Sequence, residues 1–310
     1  MLYYNITQPL TFKEESRVLG INRLAGALLG LALAVAWAPS AAAAGRPAPA
    51  VAVSVKPLHS LIATVMEGAG APYLIVGGAA SPHAYALKPG GARALSRAEL
   101  IFWVGPGLEG FLAKPLAALA AGARVVELAA LKIIRPPPRG GDLHLWLDPA
   151  NARAIAAVAV AELSALDPLN AGLYRDNAER LSRDLDTLDV ELKLVLGPVA
   201  EIPFVVDHDA YGYLVRAYGL NGVGFVTPNP EQSPSARRLG QLRRRIVRLG
   251  VRCLFAEPFS SPGRIAAVAG GLELKTGVLD PLGVGLDPGS GLYFRLMRAN
   301  AAQLADCLGG

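Results

Sequence analysis

From Val51 onward, short apolar runs rich in Val, Ile and Phe alternate with longer Ala- and Leu-rich segments of helical period. This alternation is the pattern of βαβ units, in which a strand leads into a crossover helix and the helix into the next strand. It restricts the chain to an α/β fold with mainly parallel sheets. The runs predict strands at Val51–Val55, Tyr73–Val76, Leu100–Val104 and Arg124–Leu128. A second set is expected at Phe204–Val206, Gly222–Val226, Cys253–Ala256 and Gly277–Leu279. Two sets of four, of similar length, imply two similar lobes.

Between the sets, a helix is expected to open with Asp167 as its cap and Pro168 at its first position, and to stop at Gly197-Pro198. Tyr174, Leu181, Leu185, Leu188, Leu192 and Val195 recur at spacings of seven, four and three, which makes one apolar stripe along its whole length. At 1.5 Å per residue such a helix is about 43 Å long, enough to run along both lobes as a strut. The chain of 310 residues exceeds the size at which one core stops growing. The expected division is therefore a leader at 1–44, an N-terminal lobe at 45–166, a linker helix at 167–197 and a C-terminal lobe at 198–310.

The leader is read from Leu24–Ala44, an apolar stretch that follows Lys13, Arg17 and Arg23 and ends in small residues, the layout of a secretory signal peptide cleaved near Ala44. Residues before Ile21 read as an upstream extension. The other reading, a membrane-anchoring helix, is disfavoured because the apolar core before Pro39 is short for a span of about 20 residues. No cysteine follows the run, which argues against a lipid anchor and for a free periplasmic protein. Cys253 and Cys307 are the only cysteines, and in an oxidising compartment an isolated pair is expected to be bonded; two unrelated buried thiols are the alternative.

Removing the leader's three basic and two acidic residues leaves 27 Lys and Arg against 23 Asp and Glu, a charge of +4. Seven arginines crowd Arg237–Arg252, but Ala236, Leu239, Leu242, Ile246 and Leu249 mark the buried stripe of a helix there. The arginines are read as its solvated face, not as a nucleic-acid surface.

Of the four histidines, His83 lies in a Ser-Pro-His turn after the second strand and His144 follows the proline-rich 136–138 segment. His208 ends the strand that begins at Phe204, and His59 sits at the end of the first strand. Ligands of open α/β sheets bind beyond the carboxyl ends of strands, so histidines in those loops can converge on one crevice. Neutral imidazole suits zinc, copper and nickel, and three imidazoles leave one coordination position for water or a carboxylate. Spacing alone is weak evidence, since His83, His144 and His208 are about 60 positions apart and scattered histidines are the competing account.

The words around these histidines carry more. SPHAYALKPG, DLHLWLDPANA, VVDHDAYGYLVRAYGL, LFAEPFSSP and GVLDPLG, in this order, resemble the zinc-binding, ZnuA-type members of the metal-specific solute-binding proteins that serve ABC importers. The resemblance spans Val51 to Leu308. It implies two four-stranded lobes joined by one long helix, with a metal site between them. By motif, His83, His144 and His208 match the three histidine ligands, and Asp280 matches the position that supplies a fourth oxygen ligand in some relatives. The sequence leaves Asp280 or water open there. Zinc relatives with a glutamate before the first histidine differ from this chain, which has Pro82. Many also carry a His- and acid-rich loop before the second ligand, where this chain has Arg135–Gly141. The resemblance gives His59 no ligand role, so it is read as a helix-start or pocket-wall residue. Asp209, Tyr211, Trp146 and Glu257 are candidates for orienting the ligands or walling the site. Asp207 either adds charge near the metal or points away.

The function implied is capture of one Zn2+ per chain by a periplasmic, non-enzymatic monomer and delivery to an inner-membrane ABC permease with its cytoplasmic ATPase. Proton competition is expected through the imidazole range near 6.5. The alternatives are a manganese or iron carrier of the same fold and a zinc hydrolase, the latter lacking any HExxH-like pairing.

Overall fold

Residues 48–137 and 141–310 are described by a computed structural model. The expected leader at 1–44 lies outside the described residues. The order of elements is β1 (Val51–Val55), α1 (Lys56–Val65), β2 (Tyr73–Val76), α2 (Pro89–Arg97), β3 (Leu100–Trp103), α3 (Ala113–Leu119) and β4 (Arg124–Glu127). Two helices, α4 (Pro149–Leu166) and α5 (Ala171–Leu196), then lead to β5 (Phe204–His208), α6 (Gly212–Tyr218), β6 (Gly222–Thr227), α7 (Ala236–Leu249), β7 (Cys253–Ala256), α8 (Pro262–Ala269), β8 (Lys275–Val278) and α9 (Leu292–Gly309).

The strands form two all-parallel sheets of four, in the orders β2-β1-β3-β4 and β6-β5-β7-β8. Each half thus repeats one winding, with its first strand inside the sheet and its second at an edge. Proline opens α1, α2, α4 and α8, where its missing N–H costs no helical hydrogen bond. Gly219 and Gly250 end α6 and α7 in the left-handed conformation (φ 64° and 60°), which a β-carbon would oppose.

Strand alternation sorts the second sheet between two cores. Phe204, Val206, Cys253 and Phe255 join a main core continuous with the first sheet, α4, α5 and α9. Val205 and Leu254 face the other way, onto Leu242 and Ile246 of α7 and Val268 of α8.

The long helix carries its stripe as expected from Tyr174 to Leu192, all buried, but its last buried residue is Leu196, and Val195 is exposed. A single 3-10 turn precedes α5 at Pro168–Asn170 and another follows at Gly197–Val199. Asp167 does not cap a backbone N–H; its carboxylate accepts from the Tyr174 hydroxyl (2.8 Å) and Asn170 Nδ2 (2.7 Å). Asn177 donates to the carbonyls of Val65 (2.9 Å) and Glu67 (2.8 Å), which fixes α5 against the end of α1.

The arginine-rich helix differs from its reading in two respects. Leu249 is exposed, and two arginines are structural. Arg238 lies over Phe225 and donates to the carbonyls of Phe225 and Val226, occupying part of the free edge of β6. Arg243 donates to the carbonyls of Ala267, Val268 and Gly270, holding α7 to the end of α8. No helix of the described residues is long and apolar enough to cross a membrane.

Cys253 of β7 and Cys307 of α9, 54 positions apart, form a disulfide. Closing such a loop constrains the unfolded chain by up to about 4 kcal/mol. Reduction, or replacement of both cysteines by serine, is expected to lower the urea midpoint accordingly; an unchanged midpoint would show that the bridge contributes nothing.

Candidate metal centre

Each histidine reaches the centre by a different local route. His83 sits in the turn after β2, where its backbone N–H donates to Ser81 Oγ (3.3 Å). His144 precedes the 3-10 turn Leu145–Leu147, and one oxygen of Asp142 holds it twice, accepting from its backbone N–H (2.8 Å) and meeting its ring Nδ1 (3.0 Å). His208 is the last residue of β5, and its Nδ1 lies 3.1 and 3.3 Å from the two oxygens of Glu257, just beyond the neighbouring strand β7. One ring nitrogen or other from each of His83, His144 and His208 lies within 4.8 Å of the other two. Their ring centroids are 4.9–5.7 Å apart.

The carboxylates settle the tautomers. An ionised carboxylate only accepts, so the Nδ1 of His144 and of His208 carries the proton and each Nε2 presents its lone pair. Nε2 of His208 and Nε2 of His83 are buried without a hydrogen-bond partner. Buried polar atoms without partners are costly, and a cation is the partner that converging lone pairs accommodate. A spread within 4.8 Å is one that zinc, at about 2.0–2.1 Å from each nitrogen, closes with a modest inward shift.

Burial also disfavours charge on the rings of His83 and His144. Desolvation, reinforced by the charge that protonated His144 or His208 would carry, pushes His83 down to about 3. Desolvation lowers His144 as well, against the pull of Asp142. Competition from protons at these two rings therefore begins below the range near 6.5 expected from the sequence.

The other candidates separate cleanly. Glu257 orients His208 and also accepts from the Tyr211 hydroxyl (3.0 Å). Trp146 lies edge-on to His144, with ring centroids 5.3 Å apart, and donates its indole N–H to the Pro281 carbonyl. Asp209 donates its backbone N–H to Thr227. His59 is in α1, away from the cluster, with Nε2 3.1 Å from the Pro72 carbonyl. Asp207 points away, paired through both oxygens with Arg264 at 2.7 and 2.6 Å and accepting from Ser260. Asp280 is outside the histidine group: one oxygen accepts from the N–H groups of Leu282 and Gly283 (2.9 Å each) and the other from that of Val284. Sequence reasoning missed Asp142, although an acidic residue two positions before a candidate ligand was a usable signal.

A family model described as the periplasmic component A of zinc-uptake complexes, ZnuA, matches residues 51–307. The high-affinity zinc uptake system protein ZnuA of Brucella abortus (strain 2308) is 38% identical over 301 residues, covering 82% of this chain and 90% of its own. Its counterpart in Paracoccus denitrificans is 35% identical, covering 81% and 89%. A ZnuA crystal structure superposes with a TM-score of 0.72 at 26% identity, over 83% of this chain and 98% of that one.

For the metal-free protein the sign of the pH effect follows from His83. Its ring binds a proton below about 6.5 when unfolded but only near 3 when folded, so the unfolded state binds more protons between those values. Stability is expected to fall by on the order of a few kcal/mol as pH drops through that window. Denaturant midpoints should show a flatter profile for His83→Ala; identical profiles would contradict the shift.

Proposed function

The chain belongs to the ZnuA family of periplasmic zinc-uptake components, and we propose that it captures one zinc ion through His83, His144 and His208 and delivers it to an ABC permease. One observation carries this reading: three imidazoles, two buried and one half-buried, from two turns and a strand end bring ring nitrogens close together, two of them oriented by carboxylates on the opposite nitrogen. A nitrogen-only donor set suits zinc better than manganese, which prefers oxygen ligands. With Asp280 engaged by three backbone N–H groups, the fourth position is assigned to water.

The same geometry supports carrying over catalysis. The carboxylates nearest the rings, Asp142 and Glu257, are bound to imidazole Nδ1 atoms, so neither stands ready as a general base toward a metal-bound water. Export by the 1–44 leader places the protein in the periplasm, where it works as a monomer. The lobes at 45–166 and 198–310 close slightly on the ion, with the 167–197 helix limiting their motion. The loaded form then docks on the inner-membrane permease, which is driven by its cytoplasmic ATPase. With Arg135–Gly141 in place of a histidine-rich loop, a single site gathers the metal.

Calorimetry on the chelator-stripped mature protein is expected to give one zinc per chain, preferred over manganese. Alanine at His83, His144 or His208 should each weaken binding by on the order of 100-fold, at least as much as loss of an orienting partner. Tight zinc binding untouched by all three replacements, or a preference for manganese, would overturn the reading.

A further inference from the structure

Lys56 is a buried lysine at the junction of β1 and α1 whose ammonium makes three hydrogen bonds, all to one loop more than 220 positions away. Nζ donates to the carbonyls of Gly283, Val284 and Leu286, each at 3.0 Å. The three protons of an ammonium are thereby all matched, and the charge gives these bonds about twice the strength of neutral ones. The loop belongs to the half of the chain built on the second sheet, since it follows β8. Lys56 belongs to the half built on the first.

The same loop is shaped from the other side by Asp280. Its carboxylate gathers the N–H groups of residues 282, 283 and 284, while Asn300 of α9 brackets its backbone, accepting from the Asp280 N–H (2.9 Å) and donating to its carbonyl (2.7 Å). Asp280 thus draws the amides of the turn together, and Lys56 collects the carbonyls that the turn presents. Within that turn the Pro281 carbonyl accepts the indole N–H of Trp146 at 2.8 Å. Trp146 is fully buried, its own carbonyl accepts from the Tyr293 hydroxyl (2.8 Å), and its ring lies edge-on to His144.

We infer that the 280–286 loop, gripped by Lys56, is a positioning device for the zinc site that sets the ring of His144 through Trp146. The inference rests on the zinc site proposed above and assigns Asp280 a shaping role in place of a ligand role. Asp142 fixes the tautomer of His144 and one edge of its ring, and Trp146 walls the ring. The loop decides where that wall stands. A clamp between the two halves of the chain at this point also makes the geometry of His144 depend on how the halves are docked, so closure and ligand alignment become one event.

The test is a double-mutant cycle on zinc affinity with Lys56→Met, which removes the three bonds at similar volume, and Trp146→Phe, which keeps a ring but deletes the donor to Pro281. Each is expected to weaken zinc binding about tenfold, as loss of an outer partner of a metal ligand does. The double variant should be little weaker than either, because both cut the same link. The visible absorption of the Co2+-loaded protein should shift in the same way in both single variants. Lys56→Met that melts earlier but keeps wild-type zinc affinity and Co2+ spectrum, or losses that multiply in the double variant, would overturn the inference. If Lys56→Met does not fold, Trp146→Phe alone decides, and unchanged affinity there refutes the link. His144→Ala is measured alongside. Zinc binding that survives it refutes the site itself, whereas binding lost in His144→Ala but intact in Lys56→Met refutes only the positioning role.

Discussion

Three imidazoles are packed with ring centroids about 5 Å apart, and this crowding disfavours charge on His83 and His144. A proton on His83 would be poorly solvated and would be repelled by charge on its two neighbours, which is why that ring is driven so far below its ordinary value. The Nε2 atoms of His83 and His208 are left buried without a hydrogen-bond partner. The fold around them maintains this shortage. Asp142 and Glu257 accept from the Nδ1–H groups of His144 and His208, which leaves each Nε2 as the basic nitrogen. A cation that accepts nitrogen donors is the partner such atoms accommodate.

The two parallel sheets supply the converging loops. β5 lies inside its sheet and ends at His208, and the neighbouring strand β7 leads to Glu257, so a ligand and its orienting carboxylate come from adjacent strand ends. His83 and His144 come from turns after strands of the first sheet. The halves are held by a core that runs continuously through both sheets, by α5 with its unbroken buried stripe, and by polar ties such as the Asn177 contacts to the end of α1.

Most of the architecture is legible in the sequence, since it follows from periodicity. All eight strands stand where apolar runs mark them, and the departures are instructive. β5 extends through Asp207 and His208, polar residues that an apolar run does not flag, because the ladder to β6 continues to the pair His208–Thr227. β8 lies earlier than expected, at Lys275–Val278, because an edge strand needs no apolar side chains on its solvent side. The three histidines were legible through the words around them. Other polar contacts were less so, because each depends on a three-dimensional meeting: Asp207 on Arg264, 57 positions away, and Lys56 on carbonyls across the molecule. Arg238 and Arg243 looked like solvated charge because their carbonyl partners leave no trace in composition. The motif around Asp280 suggested a ligand role, whereas its carboxylate accepts from N–H groups of its own turn.

The central claim is that three imidazole nitrogens and one water oxygen hold the ion. X-ray absorption at the zinc edge of the singly loaded protein tests it most directly. The account predicts multiple-scattering features of three imidazoles at about 2.0–2.1 Å, one further light-atom ligand, and a spectrum unchanged in Asp280→Asn. Two imidazoles or fewer, or a spectrum that loses an oxygen ligand when Asp280 is replaced, would contradict it.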